Sequence, residues 1–273
     1  MAFTLISGTA PAATRTWELP TGTGDWFDPL NWDGQTTVPT TGDDVVINAG
    51  SSVILSSSTP ELASLSLAGT MIFTNWNTSV SATTVTIASG GVMTLPPAFT
   101  DTQMSNNVVI ACSNLTVASG GIIDADNKGY AGRDGNGYGP GYGANAGQGW
   151  GGGAGHGGQA YKQQLGGAIS YGSASAPVAP GSSGFGQNNP GFAGGGVIRI
   201  DASGDVTVDG IIRADAEYRT VNNGGGAGGS IWITCHRLLG AGGRIFARGS
   251  KGHSSSNGNG AGGRIAIHYD SRS

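Results

Sequence analysis

A phrase that returns at a fixed interval constrains this chain more than any other feature. Ala227-Gly228-Gly229-Ser230-Ile231-Trp232-Ile233 recurs as Ala261-Gly262-Gly263-Arg264-Ile265-Ala266-Ile267, and a looser form, Gly195-Gly196-Val197-Ile198-Arg199-Ile200, precedes both. Ile198, Ile231 and Ile265 fall 33 and 34 positions apart. A period in this range marks a repeat architecture, in which each unit buries its apolar side only against its neighbours. The spacing therefore predicts an all-β fold, a parallel β-helix or β-solenoid with almost no helix.

A second phrase predicts the corners. Val85-Thr86-Ile87-Ala88-Ser89-Gly90-Gly91-Val92 returns as Leu115-Thr116-Val117-Ala118-Ser119-Gly120-Gly121-Ile122, and again more loosely as Val206-Thr207-Val208-Asp209-Gly210-Ile211. Strand, tight glycine turn, strand is the corner of one coil. Aligning coils at that corner places Ile123, Ile212 and Ile245 inward, with Ala125, Ala214 and Ala247 two residues on. The same alignment sets Asp124 beside Arg213 and Asp215 beside Arg248 on the outer face, a structural ladder of opposite charges. Cys112 and Cys235 occupy equivalent places with Ala202 between them. That puts the cysteines about 9–10 Å apart, beyond the roughly 7 Å that a disulfide tolerates. They read as buried small apolar residues.

Four regions follow. Residues 1–43 read as a Trp-rich cap, because Trp17, Trp26 and Trp32 among turn residues would plug an exposed core end; a sugar-stacking surface is the alternative. Residues 44–128 and 195–273 read as coils. Between them, 129–194 is a glycine- and aromatic-rich insertion. It is either a flexible segment or a set of polyglycine-II-like strands lying side by side, as only residues without side chains can. Tyr130, Tyr138, Tyr142, Trp150, Tyr161, Tyr171, Phe185 and Phe192 favour order and form the candidate contact layer for a ligand or partner.

Composition narrows the function. Charged residues are 11% and the net charge is −4, so no basic footprint for nucleic acid is present. No apolar run of about 18 residues would span a membrane. Met1 to Ala13 lacks the positive and apolar regions of a cleaved leader, so either a signal was removed or export uses another route. The Ser/Thr/Asn/Gly-rich style points to an extracellular or cell-surface setting, or a phage particle. Glycine is 52 of 273 residues, yet no Gly-X-Y register persists, which excludes collagen. Two G-x-G-x-x-G matches, at Gly147 and Gly258, neither follow a strand nor open a helix, and carry no dinucleotide site. His156, His236, His253 and His268 have no metal-ligand spacing, so no metal and no cofactor is expected. Asp201, Asp205, Asp209, Arg199 and Arg213 are the one cluster that would suit chemistry on sugars; pairing and turn formation explain them without catalysis.

The segment from Trp26 to Asn31-Trp32, followed by Pro39 and Gly42-Asp43-Asp44-Val45-Val46-Ile47, resembles the opening of bacterial secreted, cell-surface and autotransporter-passenger β-helix proteins and, more loosely, G8-type β-rich modules. The Gly-Gly-x-Ile-x-Ile units resemble glycine-rich repeats of long surface proteins. No catalytic residue of those families has a matching position here. The resemblance implies a non-enzymatic extracellular module, structural or adhesive, in a surface protein, filament or phage appendage. Its expected partners are further copies of itself or surface glycans. The alternative is a polysaccharide-binding or polysaccharide-cleaving protein. Thr83-Thr84-Val85-Thr86 also raises an ice-binding face, but that threonine spacing does not persist across coils.

Overall fold

The structure, a computed structural model, describes residues 12–19, 22–102, 106–145, 150–160, 168–253 and 257–272. In chain order the first strands are β1 (Thr14–Thr16), β2 (Thr23–Asp25), β3 (Asp44–Ile47), β4 (Ser52–Leu55), β5 (Glu61–Leu67), β6 (Thr70–Phe73), β7 (Val80–Ile87) and β8 (Val92–Thr94). There follow β9 (Val108–Val117), β10 (Ile122–Asp124), β11 (Val197–Ala202), β12 (Asp205–Val208), β13 (Ile211–Arg213), β14 (Ser230–Leu239), β15 (Arg244–Phe246) and β16 (Arg264–Arg272). Short 3-10 turns at Pro29–Asn31 and Asp33–Gln35 are the helical content of the described residues.

The chain alternates between two parallel sheets. One runs β1-β3-β5-β7-β9, then β11 and β12 together, then β14 and β16; the other runs β2-β4-β6-β8-β10-β13-β15. β9 meets β11 along its first half and β12 along its second, so both sheets pass unbroken across the glycine-rich 129–194. Ile198, Ile231 and Ile265 pair in register, as do Ile123, Ile212 and Ile245.

Alternation of apolar and small polar residues produces the core. Each strand turns every second side chain inward, and parallel register stacks these into columns. Val45, Leu65, Val85, Leu115 and Val206 form one, all essentially inaccessible. Val53, Met71, Met93, Ile123 and Ile212 form another from the facing sheet. Burying each such side chain contributes roughly 1.5–3 kcal/mol. The corner Ser119-Gly120-Gly121 turns sharply because Gly120 adopts φ +84°, a left-handed conformation that glycine takes without penalty. Cys112 stacks on Ala82 and Ala202, and both cysteines are free thiols.

Three tryptophans pack together next to β1 and β2. Trp17, Trp26 and Trp32 are buried, with Trp32 edge-on to both others at 5.0 and 4.8 Å, and the Trp32 indole N–H donates to the Trp26 carbonyl at 2.7 Å. Asp43 beneath them accepts from the Ala13 and Thr40 backbone and the Thr40 hydroxyl. Burial opposes its charge, but these bonds and Arg15 together hold its carboxyl below the usual range.

Beside the strand core lies a second interior built from backbone. Segment 224–229 exchanges main-chain hydrogen bonds with Ser182 and Phe185, Gly195, Ala214, Ala154, Ser250, and Gly258 and Ala261. A sheet strand has two neighbours; this segment has more, so it belongs to a bundle and not to a sheet. Gly224 to Gly229 are all buried. A Cβ on Gly195 would overlap the Ala214 carbonyl oxygen on one side and the Gly229 nitrogen on another. Only glycine permits that approach, which accounts for the composition.

Candidate functional site

The long strands of the first sheet bend, and the bend makes a groove. In β7 the inward–outward alternation slips after Ala82, leaving Thr83 and Thr84 both turned away from the core; in β9 it slips across Cys112, Ser113 and Asn114. Such a slip re-aims side chains and kinks the strand. Because the slips align in register, with Ala82 against Cys112 against Ala202, the kinks form a trough floored by small residues. It holds two continuous hollows, of about 430 Å³ near Glu61, Ser81, Thr83 and Asp201, and about 650 Å³ near Thr234, His236, His268 and Tyr269, sharing Ala202, Ser203 and Thr234.

The trough is rich in hydrogen-bonding groups, and its two thiols are held protonated. Burial, then the Asp201 charge, pushes the Cys112 thiol up to about 12. Burial, then Asp205 and Asp270, raises Cys235 as well. A thiol so protonated is a poor nucleophile. His236 Nδ1 lies 3.0 Å from Asp270 at the exposed rim, and His268 Nε2 bonds the Ser175 carbonyl at 2.6 Å. Arg199 pairs with Asp201 at 2.7 Å and stacks over Trp232 at 4.6 Å.

The other acids singled out by sequence are held apart in separate structural contacts. Asp205 bonds Arg237 at 2.8 Å, and Asp209 caps the turn by accepting from the Ala241 N–H at 3.0 Å. Arg213 bonds Asp124 at 2.8 Å and lies 3.1 Å from Asp126; Arg248 bonds Asp215 at 2.6 Å. These are charge pairs between adjacent strands or the residues just beyond them. Burial, together with the Asp124 and Asp215 charges, pushes the Asp126 carboxyl up to about 6 despite the Asp215 N–H and Arg213.

The described residues among the eight aromatics do not make one surface. Phe192 is inaccessible, and Tyr130 and Phe185 are buried, so these three serve packing and offer nothing to a partner. Tyr171 stacks on the buried His156 at 4.6 Å and donates to the Pro180 carbonyl at 2.5 Å; burial raises its pKa. Tyr138, half-buried, lies under Arg133 at 4.3 Å, Tyr142 is half-buried, and Trp150 is 39% exposed. Tyr161 lies outside the described residues. The reason is physical: side chains within a bundle of close-packed backbones point into the few spaces left, and large rings fill them. Sequence reading missed the trough, although the consecutive polar pairs Thr83-Thr84 and Ser113-Asn114 break alternation at matching positions and were its signal.

Among the described residues no helix is long and apolar enough to cross a membrane. No curated protein and no solved structure matches the chain. Residues 31–128, 98 of the 273, match the family described as the G8 domain, and the match ends where the glycine-rich segment begins. Residues 31–128 are thus similar to the G8 domain, a domain found in extracellular proteins, which fits a secreted location.

Proposed function

We propose that this chain is a non-enzymatic extracellular module, structural or adhesive, that self-associates. In this reading it is a β-solenoid with a tryptophan cap at one end, and 129–194 contributes to a polyglycine-II-like layer. One observation carries the proposal. β16 continues the inward columns of Ile231, Ile233 and Cys235 with Ile265, Ile267 and Tyr269, yet Ile265 is 43% and Tyr269 42% exposed. Among the described residues only β14 pairs with β16, and apolar side chains at inward register positions on such an edge favour strand addition from a second copy. The pairing of Asp201, Asp205, Arg213 and Asp215 in structural contacts supports the non-enzymatic reading. Light scattering after size exclusion tests it: mass rising with concentration, abolished by Ile265→Lys with unchanged circular dichroism, is expected. A concentration-independent monomer would remove self-association.

The hydroxyl-lined trough favours a second reading, a polysaccharide-binding or polysaccharide-cleaving protein. Glycan-array binding lost on Ser203→Trp, which fills the shared floor, would raise it above the first, and a detected cleavage product would establish the enzymatic form.

A further inference from the structure

A smaller cleft shares no lining residue with the trough. It measures about 420 Å³ and is walled by Gln187, Asn188 and Asn189 on one side and by Thr220, Asn222 and His253 on the other. We infer that this cleft binds an uncharged, hydroxyl-rich ligand, a neutral saccharide of one or two rings. The inference deepens the adhesive half of the proposed function and rests on it, but it is independent of self-association.

The lining chemistry points to that class. Four primary amides face one small space, and each presents two N–H donors and a carbonyl acceptor. Adjacent hydroxyls of a sugar both donate and accept, so they match an amide edge on both counts. Among the described residues no carboxylate, ammonium or guanidinium lines the cleft. The nearby charges are engaged: Arg219 pairs with Glu217 at 3.0 Å, and Asp134 accepts from the Asn188 N–H at 2.9 Å. A charged ligand would therefore give up its hydration without a counter-charge in the cleft.

The walls are already set. Asn223, inaccessible to solvent, accepts from the Gln187 N–H at 2.7 Å and donates to the Pro190 carbonyl at 2.7 Å and the Asn189 carbonyl at 3.3 Å. Arg219 donates to the Pro190 and Gly191 carbonyls, each at 3.0 Å. Asn188 takes φ +60°, a left-handed conformation that asparagine tolerates better than most residues, and this sets it at the tip of its loop. One buried side chain thus ties the two walls together, so binding does not have to order them. Two residues before Thr220, Tyr218 is 57% exposed and steadied edge-on by Phe192 at 6.1 Å; it offers an aromatic face of the kind that sugar rings stack on.

Titration of the isotope-labelled full chain with glucose, galactose, mannose and N-acetylglucosamine, followed by amide chemical shifts, tests the site. Saturable shifts confined to residues 187–189, 218–222 and 253 are expected for at least one sugar. The double variant Asn189→Ala/Asn222→Ala, at two exposed amides, should weaken that binding about tenfold while leaving the spectrum elsewhere intact. Galacturonate and glucosamine should shift these residues less than the neutral sugars do. No saturable shift with any neutral sugar would overturn the inference, as would shifts confined to the trough residues 81–83, 202–203 and 268–270, or equal binding by the double variant. Light scattering on the same samples reports self-association separately, so failure of one claim is not mistaken for failure of the other.

Discussion

The strand core and the glycine layer are two interiors of one molecule, packed by opposite means. In the first, backbones sit a strand spacing apart and side chains such as Leu65, Val85 and Leu115 fill the space between sheets. In the second, most positions are glycine and backbones approach until a single methyl would overlap a carbonyl, as at Gly195. The first is held by area removed from water, the second by hydrogen bonds that each segment makes to several neighbours. The comparison teaches that the strand core fails when atoms are removed and the glycine layer fails when they are added.

The sharpest way to break this contrast is to add one carbon to the layer. Gly195→Ala should cost about 4 kcal/mol, combining overpacking with loss of the buried bond between the Gly229 N–H and the Ala214 carbonyl. A denaturant midpoint close to that of the native chain would show that the layer yields where the geometry says it cannot. Removing three carbons from the core is expected to cost slightly less: Leu115→Ala should lose about 3 kcal/mol by the same measurement. A larger loss for Leu115→Ala than for Gly195→Ala would reverse the ranking of the two interiors.

The charge ladder sits outside both and should matter less. Arg213→Ala removes partners from Asp124 and Asp126 and should cost about 1 kcal/mol, reduced in high salt because the pair is partly exposed. Thermal melts at low and high salt check this. A dependence on pH is also expected. The Asp126 carboxyl is raised to about 6 from an ordinary 3.8, so the folded chain holds that proton longer than the unfolded one. Its contribution to stability is therefore fully present below the unfolded value, falls as pH rises between the two, and is constant above about 6. Asp126→Asn should flatten that part of the stability curve, and an unchanged slope would assign the dependence to other groups.

Much of the strand region was legible because a parallel sheet copies register into sequence. Ile198, Ile231 and Ile265 must recur at nearly equal spacing if they are to pair, and their column could be read before any coordinates. The same logic aligned Asp124 with Arg213. The glycine runs 224–229 and 258–263 fall at equivalent places in successive coils, which suggests that they pack beside 129–194 as one layer. A residue without a side chain does not show which partner it will bond, so the bonds from 224–229 to Ala154, Ser182, Ser250 and Ala261 were not legible. The assignment of Phe185 and Phe192 to a contact layer failed for the same reason, since aromatic residues among glycines look identical whether they face solvent or fill a gap. Asn223, one of two adjacent asparagines in turn-like sequence, gave no sign that it joins the loops around the amide-lined cleft.

By itself the amino-acid order determined that the chain is all-β, that the strands of its C-terminal part stack in parallel at a period near 33, and which apolar residues there face inward, because those properties depend on alternation and spacing along the chain. Tertiary structure alone decided where glycine backbones cross, where the long strands bend into a trough, and which amides meet across the smaller cleft. Those features arise between segments far apart in sequence, where contact is set by the closest distance two backbones can reach.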